Sequence, residues 1–394
     1  MAEAVYPLQP ARWFFKFAGL AAAVLLAGCQ VVPKSGPSKA PPPVERPHPG
    51  TSTLPEDQAR NRVALLVPLT GPNAGVGQSI ANAANLAILD TGGKDVRVTT
   101  YDTATGAQAA AARALADGNR LILGPLLSED VRAVAPAARA AHVPVLSFSN
   151  DIDVAGDGVY LLGYLPEQSI DRVVRYAVSK GMKRFAGLMP SGLYGRRASN
   201  ALLKATEKAG AIVVSLDTYD RSPKSLSAAI AKIGAGQDYD ALLIADGGRI
   251  ALQAVPQVRK NGGGADAQIL GTELWNTERS LAASPTLRGA WFASVPDGMY
   301  NQLAAKYRSR FGRAPYRLAS LGYDSVLLAV RIGADWKPGT AFPVKRLLDK
   351  GGFAGVDGAF RFRPDGTAER ALAVQQVGAG SFTVISPAPR SLGD

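Results

Sequence analysis

Between residues 62 and 386, short apolar runs alternate with stretches whose apolar residues recur every three or four positions. The first run, Val63-Ala64-Leu65-Leu66-Val67, is closed by Pro68. An unbroken run of this length predicts a strand covered on both faces, as in a parallel sheet. A turn-rich loop follows, and then Ile80, Ala84, Ala87 and Ile88 fall on one helical face. Val96–Tyr101 predicts a second strand, Ala107–Ala116 a helix and Arg120–Leu123 a third strand ended by Gly124-Pro125. A helix over Glu129–Ala141 then leads to a strand over Val143–Phe148. This order, four strands separated by three helices, requires a parallel sheet with helices on both faces.

The rhythm restarts after Pro166. Helices are expected at Ile170–Lys180, Arg196–Ala209, Ser225–Ile233 and Ala251–Lys260, alternating with strands at Arg184–Met189, Ala211–Tyr219, Ala241–Ala245 and Gln268–Leu270. Two further helices, Tyr300–Phe311 and Leu318–Ala334, precede strand-like segments at Gly358–Phe362, Ala371–Val377 and Phe382–Ile385. Two similar α/β units, with a last third that must join one or both, give the plan of a two-lobed, hinged protein.

The N-terminal segment changes the picture by fixing a compartment. Arg12 and Lys16 precede the 12 apolar residues Phe17–Gly28. That length suits a signal-peptide core and falls short of the roughly 20 residues a membrane span needs. It ends Leu26-Ala27-Gly28-Cys29, the lipobox pattern, so residues 1–28 are expected to be removed and Cys29 to carry lipid. Residues 29–61 read as a disordered tether. Eight prolines fall between 30 and 61, with almost no large apolar side chain. Extended proline-rich chain rises about 3.1 Å per residue, so the reach is on the order of 100 Å. Gln30 follows Cys29 where many inner-membrane lipoproteins carry aspartate. The expected location is therefore the periplasm, anchored to the outer membrane.

Composition removes most chemistry. Cys29 is the single cysteine, which excludes disulfides, cysteine metal sites and a thiol nucleophile from the folded part. Of two histidines, His48 lies in the tether and His142 between a helix and a strand, so no histidine pair can hold zinc. No Gly-x-Ser-x-Gly elbow, Ser-x-x-Lys or phosphate loop is present, and Gly75-Val76-Gly77 is followed by Ile80 where a dinucleotide fingerprint needs glycine. Asp151–Leu162 lacks the terminal glutamate of a calcium loop. The expectation is a non-enzyme without metal or cofactor. The net charge of +12 points to anionic surfaces. No basic stretch interleaved with aromatics of the nucleic-acid kind occurs.

Several segments together carry a family resemblance. Val63–Pro72 followed by Gly77-Gln78 resembles the opening of type I periplasmic binding proteins of the leucine/isoleucine/valine class. Gly124–Ser128, Pro144–Asn150, Tyr194-Gly195 and Gly322–Asp324 fall at matching places. With the lipobox, the proline tether and Leu146–Asn150, the chain is most similar to the penicillin-binding-protein activator branch of bacterial lipoproteins. The resemblance implies two lobes, each a parallel sheet flanked by helices, joined by a three-strand hinge. Lobe one would hold residues 62–164 plus 297–338, and lobe two residues 165–296 plus 339–387. The cleft would lie at the carboxyl ends of the strands. Its candidates are Asn73 and Ala74, Ser128 and Glu129, Ser149 and Asn150 from lobe one. Lobe two would supply Tyr194 and Gly195, Asp246 and Gly247, Glu273 and Trp275.

Two function classes follow from the resemblance. One is a regulator that docks on a bifunctional penicillin-binding protein, a peptidoglycan synthase, through an exposed patch with Trp275 and Arg279 as anchors. The other is a receptor that delivers amino acids or related small molecules to an ABC permease. Asp151 would repel a ligand carboxylate unless it turns outward.

Overall fold

Strand β1 (Asn61–Val67) is buried at every position but Arg62, as its unbroken apolar run requires. The computed structural model describes residues 60–261 and 264–392. The signal segment 1–28, Cys29 and nearly all of the tether lie outside the described residues. Around β1 runs a five-stranded parallel sheet with β2 (Val96–Asp102), β3 (Leu121–Leu123), β4 (Val145–Ser147) and β5 (Val159–Leu161), in the order β2-β1-β3-β4-β5. Helices α1 (Ala74–Thr91), α2 (Ala107–Ala116) and α3 (Ser128–Ala140) connect the strands. The strand β5 has no counterpart in the apolar pattern, because Val159-Tyr160-Leu161 is too short to register as one.

The second unit begins with α4 (Pro166–Ser179). It continues through β6 (Arg184–Pro190), α5 (Leu193–Lys208), β7 (Ile212–Tyr219), α6 (Pro223–Gly234), β8 (Ala241–Ile244), α7 (Gly248–Lys260), β9 (Gln268–Gly271) and β10 (Trp291–Ser294). The chain then returns to the first unit. Helix α8 (Gly298–Phe311) and helix α9 (Ala319–Gly333) follow, and Leu303, Tyr307, Val326 and Ile332 share a core with Val63, Ile80 and Leu86. Three short antiparallel strands come next, β11 (Phe353–Gly355), β12 (Gly358–Phe362) and β13 (Ala368–Arg370). The last two, β14 (Ala373–Val377) and β15 (Phe382–Ser386), complete a seven-stranded mixed sheet of order β15-β14-β10-β9-β8-β6-β7.

The hinge corrects one expected boundary. The first two crossings fall near Leu165 and Pro296, but the third does not fall near Pro338. Trp336, Phe342, Leu347, Phe353, Phe360 and Phe362 are all buried in the core built on β1 and α9. Residues 339–370 therefore belong with lobe one, and the chain crosses between Arg370 and Ala373. Burial of these large apolar side chains, each worth roughly 1.5–3 kcal/mol, decides the side on which the segment packs.

Candidate ligand cleft and hinge cavity

In both sheets strand order reverses beside the first strand of the unit, at β1/β3 and at β6/β8. Open α/β sheets receive ligands outside the carboxyl ends of their strands at such points. Asn73 and Ala74 start α1, Ser128 and Glu129 start α3, and Tyr194 and Gly195 lie in the first turn of α5. Gly195 is obligatory, because a Cβ there would lie 1.6 Å from the Pro190 carbonyl oxygen. Asn73 and Glu129 are exposed, and Asn73 makes no capping hydrogen bond.

The loop after β4 turns its acid across the cleft. Asp151 is 4% exposed. Its backbone N–H donates to Ser149 Oγ at 3.1 Å, and its carboxylate accepts from the Asp153 N–H at 3.0 Å and from Arg132 Nη2 at 2.8 Å. Arg132 Nη1 also donates to Ser128 Oγ at 3.2 Å. The remaining partner comes from lobe two: Arg197, on α5, donates to Asp151 Oδ1. The same guanidinium reaches Asp153 Oδ2 at 2.7 Å and the Asn150 carbonyl at 3.4 Å. Burial pushes the Asp151 carboxyl upward, but Arg197, the Asp153 N–H and Arg132 outweigh it and hold it below the usual carboxylate range. The cleft mouth is thus bridged by the protein's own ions.

In lobe two the candidates form two groups. Tyr194 donates to Glu273 Oε1 at 3.0 Å and lies 3.1 Å from Thr272 Oγ1. Burial raises the Glu273 carboxyl to about 7, against the lowering effect of a backbone N–H and the Tyr194 hydroxyl. Asp246, just after β8, accepts from Tyr219 Oη at 2.7 Å, from Arg221 Nε at 2.8 Å and from the Gly247 N–H at 2.8 Å. Its oxygens are satisfied within lobe two.

Trp275 corrects the expected docking patch. Its side chain is 0% exposed, its Nε1 donates to the Asp246 carbonyl at 2.9 Å, and its ring packs against Gly271, where a Cβ would come within 2.2 Å. A 3-10 turn over Glu273–Thr277 rotates it into the core beside Phe292. Arg279 alone of the pair is exposed.

At the strand ends of lobe two, where the three crossings converge, lies a partly open cavity of about 170 Å³ that the sequence did not signal. Leu165, Leu274, Val295, Leu318 and Leu372 make its apolar walls, and Glu273, Arg317 and Arg370 are its ionisable groups. Arg317 Nη1 donates to Asp357 Oδ1 at 2.7 Å, and the Tyr164 hydroxyl donates to Asp357 Oδ2 at 2.6 Å. Asp357 is completely buried, and Arg317 and Arg370 keep its carboxyl low against the opposing effect of burial. Its neighbour Asp324, also buried, is raised to about 7 by desolvation and by the Asp357 charge. One of two adjacent acids therefore holds the negative charge for both. Among the described residues, no group of three or more His, Cys, Asp or Glu side chains could hold a metal.

The family model for periplasmic binding proteins matches residues 61–381. The chain belongs to the periplasmic binding protein family. A putative branched-chain amino acid ABC transporter protein from Rhodospirillum rubrum shares the fold, with a TM-score of 0.71 at 21% identity, over 83% of this chain and 100% of that one. Full-length LpoA from Haemophilus influenzae matches with a TM-score of 0.64 at 18% identity, over 83% of this chain and 59% of that one. In sequence, the penicillin-binding protein activator LpoA of Photobacterium profundum is 26% identical over 178 residues, which is 44% of this chain and 29% of the relative. The matches span half or less of the curated relatives' length. The relatives with a described role are a transporter binding protein and penicillin-binding protein activators.

Proposed function

We propose that this periplasmic-binding-protein chain is a non-enzymatic envelope lipoprotein that regulates peptidoglycan synthesis by docking on a bifunctional penicillin-binding protein. The observation that carries the reading is the bridge from Arg197 to Asp151 and Asp153. A transport receptor uses its solute to draw the lobes together. Here the lobes hold each other, and the loop after β4 spends its acid on protein cations. A domain held closed offers constant outer surfaces, and a stable protein complex needs on the order of 1,200–2,000 Å² of them. The similarity to two LpoA proteins supports the same reading. Because Trp275 is buried, the docking surface is sought on the exposed outer faces, with Arg279 a candidate contact. The lipid on Cys29 and the tether would place the domain within the wall.

A second reading, a solute receptor for an ABC permease, draws on the hinge cavity and on neighbours such as the Rhodospirillum protein. The deciding experiment combines the purified chain with the bifunctional synthase of its own organism. Glycan polymerisation and cross-linking are followed with and without the chain. The expected result is a stable complex and faster synthesis with no small molecule added. A synthase that neither binds nor responds would overturn the regulatory reading in favour of the receptor.

A further inference from the structure

We infer that the open groove along the outer side of α4 and α5, walled by the C-terminal segment 387–392, is a docking site for an acidic, extended segment of a partner protein. This goes beyond the regulatory reading, which leaves the docking surface to the outer faces at large, and it rests on the groove alone. The groove has a volume of about 1040 Å³. Helix α5 buries Ala198, Leu202 and Ala205 in the core of lobe two and turns Arg196, Asn200, Lys204 and Lys208 the other way, at intervals of four residues. Eight cationic and four acidic side chains line the groove, so positive charge is in excess. Three of the acids are already taken: Asp153 by Arg197, Asp171 by Arg175, and Glu369 by Arg361 and Arg363. Glu167, the fourth, makes no ion pair, and burial raises its carboxyl against its backbone hydrogen bond and the Arg197 and Lys204 charges.

The cations are less well served. Arg370 is engaged at the hinge with Asp357 and the Tyr164 and Phe360 rings. Arg172 donates to the Leu372 carbonyl and the Ser386 hydroxyl, neither of them charged, and its own charge is disfavoured by burial and then by Arg175. Arg196, Lys204 and Lys208 are exposed and have neither an ion pair nor a side-chain hydrogen bond. Lys204 and Lys208 stand one helical turn apart, where like charges repel. A bound anion would relieve this crowding. Shape and apolar surface then select the kind of anion. Ile152 and Leu193, 38% and 43% exposed, line the end of the groove beside Arg197, and Pro387, Pro389 and Leu392 form its far wall. A polyphosphate has no apolar group to lay there, a flat bilayer cannot follow a concave groove, and a second copy of this chain brings the same net charge of +12. An acidic polypeptide meets both needs. The 16 residues of α5 give a length of about 24 Å at 1.5 Å per residue, which matches roughly seven residues of extended chain.

The test is a fluorescence-anisotropy titration of the full chain with a labelled eight-residue peptide, six glutamates followed by two leucines. Saturable binding is expected, weakened about ten-fold when glutamine replaces the glutamates and about three-fold when serine replaces the leucines. Combining Arg196→Glu with Lys204→Glu should weaken it by about ten-fold or more. Acids suit both positions, one in the first turn of α5 and one a turn before Lys208, so this variant should melt no lower than the unaltered chain. Lys94→Glu with Lys350→Glu, the same charge change at exposed positions of lobe one, should leave binding within about two-fold. Four results each overturn the inference: no saturable binding at millimolar peptide, equal affinity for the glutamine peptide, undiminished binding in the folded α5 variant, or an equal loss in the lobe-one variant. Displacement of the peptide by phosphatidylglycerol vesicles or by polyphosphate, at a lower concentration of charge than unlabelled peptide requires, would assign the groove to a lipid surface or a simple polyanion and overturn it too. No synthase is present in the titration, so its failure and the failure of the regulatory reading are distinguished.

Discussion

Replacing Arg197 by alanine tests whether the lobes are held together from within. The Arg197 side chain is 10% exposed and Asp151 5%, whereas Asp153 is 65% exposed. Breaking a buried ion pair costs about 3–5 kcal/mol when its partner is stranded. Asp151 would not be stranded, since Arg132 and the Asp153 N–H remain on its carboxylate. The loss is thus nearer 2 kcal/mol, to which the solvated Asp153 contact adds little, about 0.5 kcal/mol. These contacts join opposite lobes, so the loss falls on the closed arrangement alone. At 1.4 kcal/mol per decade, 2 kcal/mol shifts closed against open by about 30-fold. Spin labels at the exposed positions Glu129 and Ser191, in a Cys29→Ser background that removes the single native cysteine, report the separation of the lobes. Electron-electron resonance should show a longer, broader distance distribution for Arg197→Ala, partly restored by Arg197→Lys. An unchanged distribution, whatever happens to the melting temperature, would refute the latch.

Three further expectations follow. Arg317→Met should destabilise the protein by about 2–3 kcal/mol in urea unfolding, because the fully buried Asp357 loses its paired guanidinium and keeps only the Tyr164 hydroxyl and the more distant Arg370 charge, and adding Asp357→Asn should recover most of that loss. The Glu273 carboxyl is raised from 4.5 to about 7 by burial, so the folded state binds its proton more tightly than the unfolded chain. Its contribution is complete below pH 4.5 and is lost as pH climbs to 7; Glu273→Gln should remove up to about 3 kcal/mol of that decline, the rest persisting through Asp324, which shifts the same way. Cys29→Ser should move the protein from the membrane pellet to the soluble or unprocessed fraction on cell fractionation, and identical fractionation would exclude a lipid anchor.

How legible these features were depended on the range of the interactions that make them. Strand β1 could be read because full burial demands one unbroken apolar run, and Val63–Val67 supplies it. The last crossing could not. Phe353, Phe360 and Phe362 lie on strands of three to five residues, and nothing local says which lobe covers them. Trp275 illustrates a different failure: its neighbours in sequence are polar, so a loop position looked exposed, while the 3-10 turn and the space left by Gly271 carry it inward.

The charged residues were least legible of all, for a reason that bears on function. Arg197 meets an acid 46 positions away, and Arg317 meets one 40 positions away. No period or motif links such partners. Ser149, Asn150 and Tyr194 could be placed just beyond strand ends because topology fixes those ends, whereas the role of each loop depends on which cation arrives from the other lobe. Asp151 shows the consequence. Its position near the cleft suggested repulsion of a ligand carboxylate, yet its charge is taken up by Arg132 and Arg197. Arg370, near the hinge, lies over the Tyr164 and Phe360 rings and acts on the buried Asp357.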